Sequence, residues 1–324
     1  MDSAADETLS ALLEGKVKFK RNNTTDIRSK AKRVIRRAFE VMVKISGNAK
    51  GSCHIKAHIV YISRNGKIEI ENERGEILKG KDAIKDVHTE WLQDGGLRRA
   101  NTRDTANVVL SMQKGTDPKA LKNSAREFAK QQFGENYQYV FALHTDTDHP
   151  HVHLTVKTLG FDGRRLHIKK GEPQRWRELF AQKLRHYGID AEATPRAARG
   201  VIKKAVSQTL LHIRKKVTPA VDKAKIKEIV EEFKEAKKSG IPEQKPWEKK
   251  IKERQTQIRR TWLLAAQELS KGGDPDKILA EDILAFVKSM PPMLTERHEM
   301  KMKWAANIQV TQKNENNEQW QDER

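Results

Sequence analysis

Two runs that alternate like β-strands, joined by a turn crowded with histidines, constrain this chain more than any other stretch of it. In Tyr139-Val-Phe-Ala-Leu-His144, period-2 alternation sets Tyr139, Phe141 and Leu143 on one face and Val140, Ala142 and His144 on the other. In His151-Val-His-Leu-Thr-Val156 it sets Val152, Leu154 and Val156 on one face and His151, His153 and Thr155 opposite. Paired as a hairpin with the larger apolar faces on one core, the strands bring His144, His151 and His153 together on the other face. Three imidazoles on a rigid sheet surface make a metal site with open coordination positions, as a catalytic metal needs. A lone surface histidine carries no such meaning; a pair at i and i+2, opposite a third across an acidic turn, does. His149 shares the parity of His151 and His153, so parity alone does not choose the ligands. Its place in the turn, before Pro150, makes it the expected non-ligand, and a proline there suits the first residues of a strand.

The 324 residues carry 64 Lys and Arg against 44 Asp and Glu, a formal net charge of +20. Such an excess points to a polyanionic partner, nucleic acid first, with simple solubility or an acidic membrane surface as the competing explanations. No apolar run approaches the roughly 20 residues of a membrane span, and no apolar stretch follows a charged N-terminus as in a secretory leader. The one cysteine, Cys53, excludes an intramolecular disulfide framework and a Cys-rich zinc module. A cytoplasmic protein without a membrane span is expected.

Residues 1–25 are polar and poorly periodic, and a mobile N-terminal segment is expected there. The basic run Lys30–Ala38 precedes a strand over Phe39–Ile45 and a turn over Ser46–Gly51. A helix over Cys53–Ser63, a strand over Lys67–Glu71 and a helix over Asp82–Gln93, stopped by Gly95-Gly96, follow. Ala106–Ser111 reads as a buried strand. Asp117 as N-cap, Pro118 at the first helical position and Gly134 past the end bound a helix over Lys119–Phe133. After the hairpin and an Asp162-Gly163 loop, a helix spans about Gln174–Tyr187. The expected fold class is α+β: an antiparallel sheet with helices packed on one face, the other left for a polar site. Near Gly200 the composition turns Lys/Glu-rich and nearly strand-free. Pro219, Gly240, Pro242 and Pro246 divide helices there, with Trp247–Leu269 and Asp276–Met290 the clearest. The expected organisation is a 1–25 segment, a 26–200 domain, a 201–310 helical region and a flexible 311–324 tail.

On a helical wheel through Cys53–Ser63, Ile55, Ile59 and Ile62 form the core stripe. Tyr61 lies off that stripe, on the flank shared with His54 and His58, and Arg64 and Lys67 follow closely. A tyrosine beside a metal and cations is suited to attack a phosphodiester. On pattern alone, an amphipathic tyrosine at the core boundary is the better explanation of the position.

With these residues placed, the chain resembles the relaxases of mobile DNA, the MobA/VirD2-like branch of the HUH endonucleases. The family's histidine motif, His-x-Asp-x-x-x-Pro-His-x-His, matches at His144, Asp146, Pro150, His151 and His153. Its tyrosine motif matches Tyr61-Ile-Ser-Arg-Asn-Gly66, its middle motif Ser111-Met-Gln-Lys-Gly115-Thr116, and its lead into the site Arg37-Ala-Phe-Glu-Val-Met-Val-Lys44. The match covers roughly residues 35–200, with motif order and spacing agreeing. Beyond residue 200 it becomes general.

The resemblance implies an HUH/RRM-like core that nicks and rejoins one DNA strand at an origin of transfer, for plasmid mobilisation or conjugation. It implies Tyr61 as nucleophile, forming a 5′-phosphotyrosyl link, and His144, His151 and His153 as ligands of a divalent metal. Mg²⁺ or Mn²⁺ is expected, with Zn²⁺ also suited to three imidazoles. Asp146 is expected either to orient a ligand imidazole or to assist proton removal from Tyr61. Ser111, Arg64, Lys67, Gly115, Thr116, Arg164 and Arg165 are expected to contact DNA, with basic tracts at 30–38, 164–170 and 196–204 gripping phosphates. Implied partners are single-stranded or locally melted origin DNA, accessory nicking proteins, and a coupling ATPase with its type IV secretion system. The implied location is the bacterial cytoplasm, with transfer to a recipient cell alongside the DNA.

Three other readings compete. A rolling-circle replication initiator shares the chemistry, but the Ser-Arg-x-Gly run after Tyr61 and the middle motif count against it. A non-catalytic nucleic-acid-binding protein predicts binding without nicking. A hydrolase that uses water predicts no covalent adduct.

Overall fold

From the N-terminus the elements run α1 (Ala4–Leu13), α2 (Ile27–Ile35), β1 (Phe39–Glu40), β2 (Met42–Gly47), α3 (Gly51–Ile62), β3 (Ile70–Asn72), β4 (Ile77–Leu78) and α4 (Gly80–Gln93). Then come β5 (Thr105–Ser111), α5 (Pro118–Phe133), β6 (Tyr139–His144), β7 (His151–Lys157), α6 (Glu172–His186) and β8 (Ala191–Glu192). A short 3₁₀ turn (Arg196–Arg199) precedes α7 (Gln208–Lys216), α8 (Ala220–Ser239), α9 (Pro246–Leu269) and α10 (Asp274–Lys288). The computed structural model describes residues 4–13, 27–93, 101–203, 206–239 and 245–303. Contacts divide the chain into two units, Lys16–Thr194 and Met1–Gly15 with Pro195–Arg324.

In the first unit the hairpin forms in the register its alternation requires. Tyr139 faces Val156, Phe141 faces Leu154, Leu143 faces Val152, and His144 faces His151. This hairpin is the centre of an antiparallel six-stranded sheet of order β2-β5-β7-β6-β3-β4, while β1 and β8 form a separate parallel pair. One face is covered by α5 and α6, whose Phe128, Phe133, Trp176 and Phe180 pack edge-to-face over Phe141, Leu154 and Val156. Helix α5 starts where its cap demands: Asp117 accepts from Lys119 N and Ala120 N, with Pro118 in the first turn.

The second face is not left bare. Val140 and Ala142 point there, and Ile55, Ile59 and Ile62 of α3 with Ile84, Val87 and Trp91 of α4 cover them. The α+β class with an antiparallel sheet holds, but helices lie on both faces because β6 is apolar on both sides ahead of His144. The rest of that face, over β2, β5 and β7, carries Met42, Lys44, Ser111, His151 and His153 in adjacent register.

The second unit is helical. Residues 4–13, expected to be mobile, form α1: Ala5, Leu9, Leu12 and Leu13 recur at helical spacing and are buried, and α1 packs on α9. In the same unit Trp262 is fully buried, edge-on to Phe286, and its indole N–H donates to Ala198 O at 2.8 Å. None of the described helices is long and apolar enough to cross a membrane. The stop at Gly95-Gly96, the breaks at Gly240 and Pro242, residues 14–25 of the N-terminal segment, Lys204 and the 311–324 tail lie outside the described residues.

Candidate active site

The end of α3 is built by the Ser-Arg-Asn-Gly run. Ser63 Oγ donates to Val60 O at 3.1 Å and accepts from Gly66 N at 3.2 Å. Arg64, Asn65 and Gly66 all take positive φ, of 50°, 59° and 82°. Two non-glycine residues in the left-handed region are unusual and show how tightly this turn is held. A Cβ at Gly66 would lie 2.7 Å from the backbone of Gly80, so only glycine fits. The turn leaves Tyr61, in the last turn of α3, 52% exposed while its neighbour Ile62 is fully buried.

Beside that turn His144, His151 and His153 converge, with one nitrogen from each lying within 4.8 Å of the others. Backbone carbonyls select which nitrogens are free. His144 Nε2 lies 2.7 Å from Ile62 O and donates to it, so Nδ1 carries the lone pair. That Nδ1 is buried without a hydrogen-bond partner. His151 Nδ1 donates to His149 O at 3.0 Å, leaving Nε2. Burial holds the His153 imidazole well below its ordinary value, at about 3, reinforced by the nearby His144 and His151. Burial also lowers His144. Uncharged imidazoles with aimed, unspent lone pairs are what a divalent ion requires, so the donor set fits a metal.

Tyr61 joins this cluster directly. Its ring is edge-on to His153 with centroids 5.6 Å apart, and stacked on His58 at 6.1 Å. The Arg64 guanidinium carbon lies 5.5 Å from the Tyr61 ring centre, and its other side is ion-paired to Asp146. Through Arg64 the end of α3 is thus tied to the hairpin turn, in addition to the His144–Ile62 and Tyr61–His153 contacts.

Residues 61–189 match the family model described as relaxase, MobA/VirD2-like, nuclease domain. That stretch is thus similar to a MobA/VirD2-like relaxase nuclease domain. The chain is similar to the T-DNA border endonuclease VirD2 of Rhizobium radiobacter, 29% identical over 189 residues that make up 52% of this chain and 45% of that protein. The VirD2 protein of Agrobacterium fabrum is 28% identical over 190 residues, 52% of this chain and 42% of its own. The chain therefore spans less than half the length of these relatives. A solved structure titled "Molecular Basis of Vancomycin Resistance Transfer in Staphylococcus aureus" aligns with a TM-score of 0.33 and 17% identity, over 49% of this chain and 99% of that one.

Within the matched stretch the expected residues divide. Tyr61, Arg64, Asp146 and the three histidines are brought together. Ser111 stands beside His151 in register, its hydroxyl making only long contacts, 3.5 Å, to Met112 O and Pro150 O. Lys67 is exposed in the turn after α3. Gly115, at φ 87°, and Thr116 close a turn: the Thr116 hydroxyl donates to Gln113 O at 2.8 Å and the residue is buried, so this side chain is not presented to a ligand. Arg164 and Arg165 follow the far end of β7, about 20 Å of strand away from His151. Arg165 is engaged there with Arg103 O and Thr158 Oγ1. In the 30–38 tract Lys30 is buried and Arg33 is bound to Glu192, so both serve the fold.

Asp146 does not orient an imidazole by hydrogen bond; Ile62 O and His149 O do that. His149 stays outside the cluster and contributes its carbonyl. The sequence gives no sign of these two carbonyls, because any residue supplies one. It did place His58 on the flank of Tyr61, without a role.

Proposed function

We propose that this chain nicks and rejoins one strand of DNA by transesterification at an origin of transfer, with Tyr61 as nucleophile. The observation that carries the reading is the edge-on contact of an exposed tyrosine with a cluster of three metal-competent histidines. In the reaction the Tyr61 Oη–phosphorus bond forms as the phosphorus–O3′ bond breaks. The phenolic proton leaves to solvent and the departing 3′ oxygen gains one. One phosphodiester replaces another, so no nucleotide energy is consumed and the released 3′-OH can reverse the step. A divalent ion held by His144 Nδ1, His151 Nε2 and His153 would supply positive charge to the non-bridging phosphate oxygens.

The protein's own groups do the rest. The Ile62 and His149 carbonyls hold two imidazoles in the ligating tautomer. Asp146 acts through Arg64, holding that guanidinium over the Tyr61 ring. Ser111, beside His151 in register, and Lys67, exposed in the turn after α3, serve as contacts for the strand. Single-stranded or melted DNA is the substrate, since the scissile phosphate must reach a cluster set on a sheet surface. The cytoplasmic location, accessory nicking proteins, coupling ATPase and secretion channel belong to the same reading, drawn from the family likeness.

The test incubates the protein with labelled single-stranded oligonucleotides from its own replicon and Mg²⁺ or Mn²⁺. A band that survives denaturation and requires the metal is expected. Cleavage with a free 5′-phosphate and no adduct would instead support a water-using hydrolase.

A further inference from the structure

His58 lies three residues before Tyr61, one helical turn away on the same flank of α3. The histidine motif and the metal cluster leave it unused. It is half-buried, and its ring is stacked on Tyr61, 28° from parallel with centroids 6.1 Å apart. Tyr61 itself is half-exposed, and an exposed tyrosine turns freely between rotamers unless neighbours hold it. Its ring meets His58 on one side, Arg64, and the edge of His153. Arg64 is a long side chain committed to Asp146 and sits on a surface turn. His58 is short, on the helix interior and stiff.

We propose that His58 is a positioning residue: its ring is the stop against which the Tyr61 phenol rests, keeping Oη aimed at the three-histidine cluster. This rests on Tyr61 being the nucleophile. A nucleophile that must approach phosphorus in line loses rate steeply when its ring can swing away, and small misplacements cost up to 100-fold. Burial pushes the His58 imidazole below its ordinary value, which suits a ring used for its surface. The role belongs to the flat ring, so phenylalanine should replace it.

The experiment measures single-turnover adduct formation with an oligonucleotide that the wild-type chain nicks, for wild type, His58→Ala, His58→Phe and Tyr61→Phe, over pH 6 to 9. Affinity for the same oligonucleotide is measured without metal. His58→Ala is expected to slow adduct formation about 10-fold with affinity unchanged within about twofold. His58→Phe is expected to recover the wild-type rate within about twofold, with an unchanged pH profile. Equal rates for His58→Ala and wild type overturn the proposal. So does a His58→Phe variant as slow as His58→Ala, or one that loses a limb of the pH profile, because the imidazole would then be moving a proton. Absence of any adduct from the wild-type chain, or full activity of Tyr61→Phe, removes the nucleophile reading itself and is distinguishable from both.

Discussion

Asp146, in the turn of the histidine hairpin, is ion-paired to Arg64, just past the helix that carries Tyr61. The two residues are 82 apart in the chain, and their contact ties the turn after α3 to the turn of the hairpin. Slight burial raises the Asp146 carboxyl, but the Arg64 charge and hydrogen bond outweigh it and hold the group below its ordinary value. Both side chains are partly exposed, so the pair contributes only about 0–1 kcal/mol to stability. Its expected importance is for the placement of Arg64 over Tyr61. Asp146→Asn should therefore leave the thermal midpoint nearly unchanged while slowing adduct formation about 10-fold or more. Matched melting curves and single-turnover rates check this.

Acidification should destabilise the metal-free protein through its own cluster. His144 and His153 both titrate below the ordinary histidine value of 6.5, His153 at about 3. Between those values the unfolded chain binds protons that the folded chain refuses, so stability falls as pH falls. The contribution is full above pH 6.5 and is lost progressively below it. The melting temperature in chelator should drop from pH 7 to pH 5, and His153→Gln should flatten that drop.

Metal binding should be visible without DNA. Titrating Mn²⁺ into the chain at pH 7.5 should raise the melting temperature, with about 2.7 kcal/mol of added stability at a hundred times the dissociation constant. His151→Ala removes one of three donors and should abolish that rise while leaving the metal-free midpoint close to wild type. Heat of binding by calorimetry gives the same comparison.

Ile59 anchors α3 to the second face of the sheet and is fully buried among Ile55, Ile62, Ile84 and Val140. Ile59→Ala should cost about 2–5 kcal/mol. Because the same helix carries Tyr61, adduct formation should fail at a lower temperature than in wild type. Denaturant melts and temperature-dependent nicking measure the two effects separately.

The hairpin register and the convergence of three histidines were legible because period-2 alternation leaves only one way to bury Phe141, Leu143, Val152 and Leu154 together. The exposed placement of Tyr61 followed from the Ile55–Ile59–Ile62 stripe for the same reason. Tertiary partners were not legible. Nothing in the order of residues tells that Asp146 meets Arg64, or that Ile62 and His149 fix the imidazole tautomers through their backbones. The cover of α3 and α4 over Val140 and Ala142 is not legible either, because the histidines make that face read as polar. Helix α1 is hard to read because it is short and Asp6 and Glu7 precede the Leu9, Leu12 and Leu13 stripe.

The central claim is that Tyr61 becomes covalently joined to the 5′ end of the nicked strand. Tryptic digestion of the protein–DNA adduct, followed by nuclease trimming and mass spectrometry, tests it directly. The expected result is a nucleotide phosphate on Tyr61 within the peptide Ala57–Arg64. Finding it on another residue, or finding nicked DNA with no modified peptide, would contradict the account.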